Sequence, residues 1–245
     1  MNLKNPDDNG ASRAEYDGRL SGRARHFLAN AEFRDSVKDE TKIRAAFARK
    51  GIAPSPELIR FQKLFGGFVE YSWLTPIVFG ILHSGKCEGD FAGHENELLI
   101  EEEEFPTHYI CADTLYQEIF TMTENGNYYE GYNLQCRTFE TLIENLSVYD
   151  ELNKQGGYEK IFSYTGDTAE QCEGSAAAFS EKVSPFLKEL RLSALDGCWD
   201  DILCWYKSDS GLWVKKENLN LSAFSKNKTD KDIISSFGRM LSEGA

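Results

Sequence analysis

The chain has 245 residues, 41% of them hydrophobic and 13% aromatic, which suffices for one large domain or two small ones with a real core. Its net charge of −13 is uneven: residues 1–50 hold 11 basic and 8 acidic groups, whereas the rest hold 16 basic and 32 acidic, a balance of −16. A main body so acidic repels phosphates and excludes direct nucleic-acid binding, and the most apolar window, Trp73 to Leu82, is too short and too broken by Pro76 to span a bilayer.

In chain order, Met1 to Gly22 is polar and has no apolar central run. It is expected to be mobile or loosely docked and carries no secretory signal pattern, so the expected compartment is the cytosol. The spacing then predicts a helical region from about Arg23 to Lys50, with Val37, Ile43 and Phe47 on its apolar face and Gly51 as the terminating glycine. A second helix is announced by Ser55-Pro56-Glu57: an N-cap serine, a proline preset for the first helical position, and an acid at the positive end of the dipole. Leu58, Phe61, Leu64 and Phe65 recur at helical spacing before Gly66-Gly67 ends it.

Phe68 to Leu82 is aromatic and β-branched and reads as one or two strands. His83 to Gly93 reads as a loop, and Tyr109 to Ala112 as another short strand. Ile119 to Met122 and Tyr128 to Leu134 flank Asn125-Gly126, a pair that tolerates positive φ and predicts a β-hairpin. Thr138 caps a helix with Phe139, Leu142, Ile143, Leu146, Tyr149 and Leu152 on one face, stopped by Gly156-Gly157. Gly166 to Ser175 reads as a loop. Phe179 to Leu190 has helical spacing interrupted by Ser184-Pro185, which kinks one helix or starts a second. Ile202 to Tyr206 and Leu212 to Val214 form a second predicted hairpin, and Thr229 caps a final helix carrying Ile233, Phe237, Met240 and Leu241.

The charge bias peaks inside this pattern. Cys87 to Cys136 contains no lysine or arginine but twelve acidic residues, including the consecutive Glu101, Glu102, Glu103 and Glu104. An acidic surface on folded structure is a docking face for a basic partner. The competing reading is a solvated face that keeps the protein in solution.

Two stretches resemble the SUKH superfamily of bacterial toxin-immunity proteins. Pro54 to Gly67 is similar to that family's helix, which starts after a proline and runs into a glycine-rich break. The Ile119 to Tyr132 hairpin, followed by Cys136-Arg137-Thr138-Phe139-Glu140-Thr141-Leu142-Ile143, resembles its last strands and following helix, with Thr138 where serine is usual. The resemblance spans about residues 41–152 and rests on caps and turns. The long acidic loop Cys87 to Glu104 and the residues after Tyr158 depart from it. It implies a central antiparallel sheet flanked by helices, no catalysis, and a role in neutralising a cognate toxin.

Catalytic chemistry finds less support. His83, His94 and His108 share a window with Cys87, Cys111, Glu95 and Glu97, but no spacing matches HExxH or a Cys/His finger. Six cysteines form no CxxC pair, so no structural zinc site is expected and most are read as buried thiols. Cys111 with His108 is a conceivable nucleophile–base pair, although such pairs need spatial rather than sequential proximity. Asp200 and Asp201 would point to opposite faces of a strand. No phosphate loop and no Gly-x-Ser-x-Gly elbow occurs. Trp199, Trp205, Tyr206 and Trp213 read mainly as core, with one or two of them as exposed interface anchors.

The expected architecture is therefore α+β: a mobile segment 1–22, a SUKH-like core 23–157 with its central antiparallel sheet, and a C-terminal extension 158–245 packed on that core. The expected function is non-enzymatic immunity against a cognate, basic toxin such as a nuclease. Glu95, Glu97, Glu101, Glu102, Glu103, Glu104, Asp200, Asp201 and Trp205 would form the binding face. No cofactor, metal, nucleic-acid or membrane partner is expected. The alternatives are a small hydrolase or transferase using the His83–His108 region, and a regulatory scaffold with several weak partners.

Overall fold

The computed structural model describes residues 18–71, 74–102, 106–116, 119–166, 175–197, 200–227, 229–232 and 234–235. Most of the polar N-terminal segment, Glu103, Glu104, Trp199, most of the predicted loop Gly166 to Ser175 and most of the predicted final helix lie outside them. The fold is mixed α+β, with three antiparallel sheets among the described residues. Two compact units meet in sequence at Phe139/Glu140. The helix expected to close the first core counts with the second unit instead. No described helix is long and apolar enough to cross a membrane.

Unit 1 opens with α1 (Gly22–Ala29), capped by Ser21, whose hydroxyl accepts from the Ala24 amide. Where the periodicity suggests one helical region to Lys50, the chain breaks. Phe33 bridges to Phe68 and Ser36 to His83 in short antiparallel contacts. The carboxylate of Asp39 then accepts from the Thr41 and Lys42 amides and starts α2 (Glu40–Arg49). Helix α3 (Pro56–Phe65) begins as its sequence dictates, with the Ser55 hydroxyl accepting from Leu58 N at 3.2 Å. After it, Gly67 turns at φ 86° against the Arg34 carbonyl, a place where a Cβ would collide with backbone.

Two sheets follow. β1 (Val69–Glu70), β2 (Ile77–Phe79) and β5 (Ala112–Asp113) form the smaller, in the order β1-β2-β5. The larger contains β3 (Ile100–Glu102), β4 (His108–Ile110), β6 (Phe120–Thr123), β7 (Tyr128–Glu130) and β8 (Asn133–Cys136), in the order β3-β4-β6-β7-β8. The predicted Asn-Gly hairpin joins β6 to β7, pairing Met122 with Tyr128. Of the two turn residues only Gly126 takes positive φ, at 86°. The core of this unit is aromatic: Phe61, Phe65, Phe79 and Tyr128 all pack their rings on Phe139, 4.7 to 5.9 Å away. Each such ring removes an apolar area worth roughly 1.5–3 kcal/mol from water.

Unit 2 contains nearly all of α4 (Phe139–Gln155), then β9 (Glu159–Thr165), α5 (Ser175–Glu189), β10 (Ser193–Ala194), β11 (Leu203–Lys207), β12 (Trp213–Glu217) and β13 (Asn220–Ser225). Its five strands run in the order β10-β11-β12-β13-β9. Alternation along β12 divides two cores: Val214 packs with Phe179, Val183 and Phe186 of α5, and Trp213 with Val148 and Leu152 of α4. Pro185 lies inside a continuous α5. The β11/β12 hairpin turns at Gly211, φ 89°, as the sequence predicts.

Candidate interaction surface

The acidic stretch of unit 1 opens with a loop fastened to the smaller sheet. Asp113, at the end of β5 and only 6% exposed, accepts hydrogen bonds from the amides of Glu88, Gly89 and Phe91 at 3.1, 3.0 and 3.0 Å. An ionised carboxylate receiving several backbone N–H bonds is a strong anchor. The approach is close enough that a Cβ on Gly89 would collide with the backbone of Thr114, so only glycine fits.

Further along, the Phe91 ring is fully buried and packs against the His83 imidazole at 4.5 Å. The Asn96 amide donates to the His83 carbonyl at 2.8 Å, and Asn96 takes φ 65°, a conformation asparagine tolerates better than most residues. Arg49 of α2 donates to the Asn96 carbonyl, also at 2.8 Å. Successive turns link Gly89 to Ala92, Phe91 to His94 and His94 to Glu97. The loop is thus tied down at both ends and in the middle.

The acids ride on this frame. Glu88, Glu97 and Glu101 are exposed, and Asp90 and Glu95 are partly so. Burial, together with the charge of Asp113, raises the Asp90 carboxyl above the usual range. Glu101 falls where the β3–β4 register slips between Ile100 and Glu102, a bulge on an edge strand. Glu102 ends β3 opposite His108. A loop ordered before binding spares a partner the entropy of ordering it.

The remaining candidates are placed elsewhere. Asp200 and Asp201 belong to unit 2. Asp200 is buried and its carboxylate accepts from Ile202 N at 2.8 Å, closing a turn ahead of β11. Asp201 is exposed, and its carbonyl accepts from the ammonium of Lys216. Trp205 is 0% exposed. It donates from Nε1 to Asn145 Oδ1 at 2.9 Å and packs on Tyr149, Trp213 and Phe224. It therefore has no surface with which to anchor a partner and leaves the candidate face, because β11 directs it into the core beneath α4.

Each histidine of the alternative catalytic window has a local partner. His83 is buried, with Nε2 2.9 Å from the Gly80 carbonyl, and burial lowers its pKa so that it stays neutral. His94 meets Glu97 at 3.2 Å on the exposed loop, and His108 meets Thr121 Oγ1 at 3.0 Å across β4 and β6. Among the described residues no three His, Cys, Asp or Glu side chains are grouped to hold a metal. Burial pushes the Cys87 thiol up to about 11, and Cys111 well above its ordinary value. Both are thus protonated near neutrality, the opposite of what a nucleophilic cysteine needs. Alkylation by iodoacetamide at pH 7.5, followed by peptide mass spectrometry, should therefore leave Cys87 and Cys111 essentially unmodified until the fold is denatured. Rapid native labelling at either would reverse that assignment.

Sequence reasoning located the acids but missed Asp113, Gly89 and Arg49, which hold them. The Gly89 contact leaves a trace, a glycine in the Glu88-Gly89-Asp90 turn. The Asp113 contact leaves none, because its partners lie 22 to 25 residues away. Comparison of the chain with protein-family models, with curated proteins and with solved structures finds no match.

Proposed function

We propose that this chain is a non-enzymatic inhibitor, an immunity-type protein of the SUKH kind, that binds a basic toxin and covers its active site or substrate channel. The observation that carries the reading is the fastened acidic loop: Glu88, Asp90, Glu95, Glu97 and Glu101 are presented on backbone tied to Asp113, His83 and Arg49. The SUKH-like order of caps and turns from about residue 41 to 152 supports it independently. A toxin that approaches phosphates is itself basic, and an acidic inhibitor gains steered association and a match to that cleft. The hydrolase or transferase alternative has no comparable observation behind it.

The test has two steps. The tagged chain is used at moderate salt to capture partners from its native cells, and the recovered partner is then expressed alone and together with this chain. One dominant basic partner in near-equal amount, toxic alone and harmless when co-expressed, is the expected result. Reversing Glu95, Glu97 and Glu101 to lysine should then slow association on the order of tenfold or more at low salt and flatten its salt dependence. An unchanged on-rate would remove this face from the reading. Recovery of a bound metal or small molecule in place of a protein would favour the enzyme alternative.

A further inference from the structure

We infer that the docking face is a composite, in which an exposed leucine pair beside the acidic loop takes an apolar side chain from the basic partner. Leu74 is 98% exposed and Leu115 is 63% exposed. Single exposed leucines are ordinary. The segments that carry them are tied to each other: the hydroxyl of Tyr116, next to Leu115, accepts from the amide of Thr75, next to Leu74, at 2.7 Å. The same Leu115 segment is the one against which Gly89 is packed, through Thr114, and Thr114 in turn follows the anchor Asp113. Glu88 and Asp90 therefore sit on backbone packed against the segment that carries Leu115.

The charge of the surroundings selects the occupant. On the loop packed against Thr114, Glu88 is exposed and Asp90 partly so, and the sequence from Cys87 to Cys136 has no lysine or arginine to offset them. A second copy offering the same face would meet it with like charge, which is costly at an interface. A basic segment carrying an apolar side chain satisfies both parts. The cations meet Glu88 and Asp90 and steer the encounter, and the apolar group covers Leu74 and Leu115 and slows release. Central apolar contacts with a charged rim are the usual division of labour at an interface.

The inference rests on the acidic surface being the docking face, and its test separates the two. Two labelled peptides of equal length and charge are titrated into the full chain at low salt and followed by fluorescence anisotropy. Lysine alternates with leucine in one and with serine in the other. The expected result is a preference for the leucine peptide of about tenfold, the effect of burying roughly one leucine side chain. Leu74→Ser combined with Leu115→Ser should erase that preference and leave the serine peptide's affinity unchanged. Both positions are exposed, so the variant keeps its fold, which circular dichroism verifies. Equal affinity of the two peptides for the native chain, or a preference that survives the double substitution, overturns the leucine pair while the acidic face stands. Failure of both peptides to bind overturns both. Concentration-dependent dimerisation in sedimentation velocity that disappears in the double variant would assign the pair to self-association and overturn the basic partner.

Discussion

Replacing Gln62 by leucine is expected to unfold unit 1 or leave it barely stable. Gln62 lies on the buried side of α3 and is 0% exposed. Its amide nitrogen lies within hydrogen-bonding distance of Ser36 Oγ, the Val37 carbonyl and the Leu82 carbonyl, at 2.7, 2.9 and 2.8 Å. Its carbonyl oxygen accepts from the amides of Ile81 and Leu82 at 2.7 and 3.1 Å. One side chain thus completes the backbone of two segments whose pairing is otherwise the short Ser36–His83 bridge. Leucine fills the volume but leaves buried donors and acceptors unmet, each costing roughly 1–3 kcal/mol. Even two such groups amount to about 4 kcal/mol, against a total stability of ~5–15 kcal/mol for a domain.

Gln62→Glu separates hydrogen bonding from packing. It keeps the acceptor for Ile81 and Leu82 but turns a carboxylate oxygen toward two carbonyls. Burial and that repulsion raise its pKa in the folded state. A raised carboxyl makes the fold bind more protons than the unfolded chain, so stability falls as pH rises from the ordinary glutamate value, about 4.3, through the folded value. Chemical denaturation of Gln62→Glu should show higher stability at pH 5 than at pH 8, and Gln62→Leu should show no such rescue. Equal stability of the glutamate variant at both pH values would mean that the amide's donor side contributes little.

Gln62 also marks the limit of what the chain discloses. Helix α3 is legible because its signals are local: the Ser55 cap, Pro56 at the first position, and apolar residues at helical spacing. The β6/β7 hairpin is legible for the same reason, at Asn125-Gly126. Gln62 sits four residues after Leu58 and so falls on the apolar stripe, and a polar residue there is a sign of a buried network. The network itself runs to residues 36, 37, 81 and 82, which no window includes. The break between α1 and α2 carries no glycine or proline to announce it, and Asp39 as an N-cap is its one local signal. Strands β9 and β13 pair Tyr164 with Leu221, far apart in sequence, and neither carries a hairpin signal of its own. At the candidate face, composition discloses the charge. It does not disclose that Trp205 is spent on the core, nor that Asp200 closes a turn.

Asp113→Ala should do to the acidic face what no surface substitution does: leave every exposed charge in place and weaken binding. The side chain is buried, so it offers a partner almost no surface to touch. Its loss orphans the amides of Glu88, Gly89 and Phe91 together. Hydrogen bonds to a charged acceptor contribute roughly 1.5–3 kcal/mol each, and even partial compensation by water leaves a cost of about 3 kcal/mol, concentrated on the loop. The acids would then have to be ordered by the partner, at an entropic cost of about 1 kcal/mol or more for each residue fixed. Asp113→Asn keeps one oxygen for Gly89 and Phe91 but turns an amide group toward Glu88 N–H, so it should fall between. Amide hydrogen exchange distinguishes the routes. Protection at Glu88, Gly89 and Phe91 should vanish in Asp113→Ala and persist in Glu97→Lys, while both bind the lysine–serine peptide more weakly. If those amides stay protected without the carboxylate, the loop is held by something other than Asp113, and the claim that this surface is ordered in advance by its anchor is wrong.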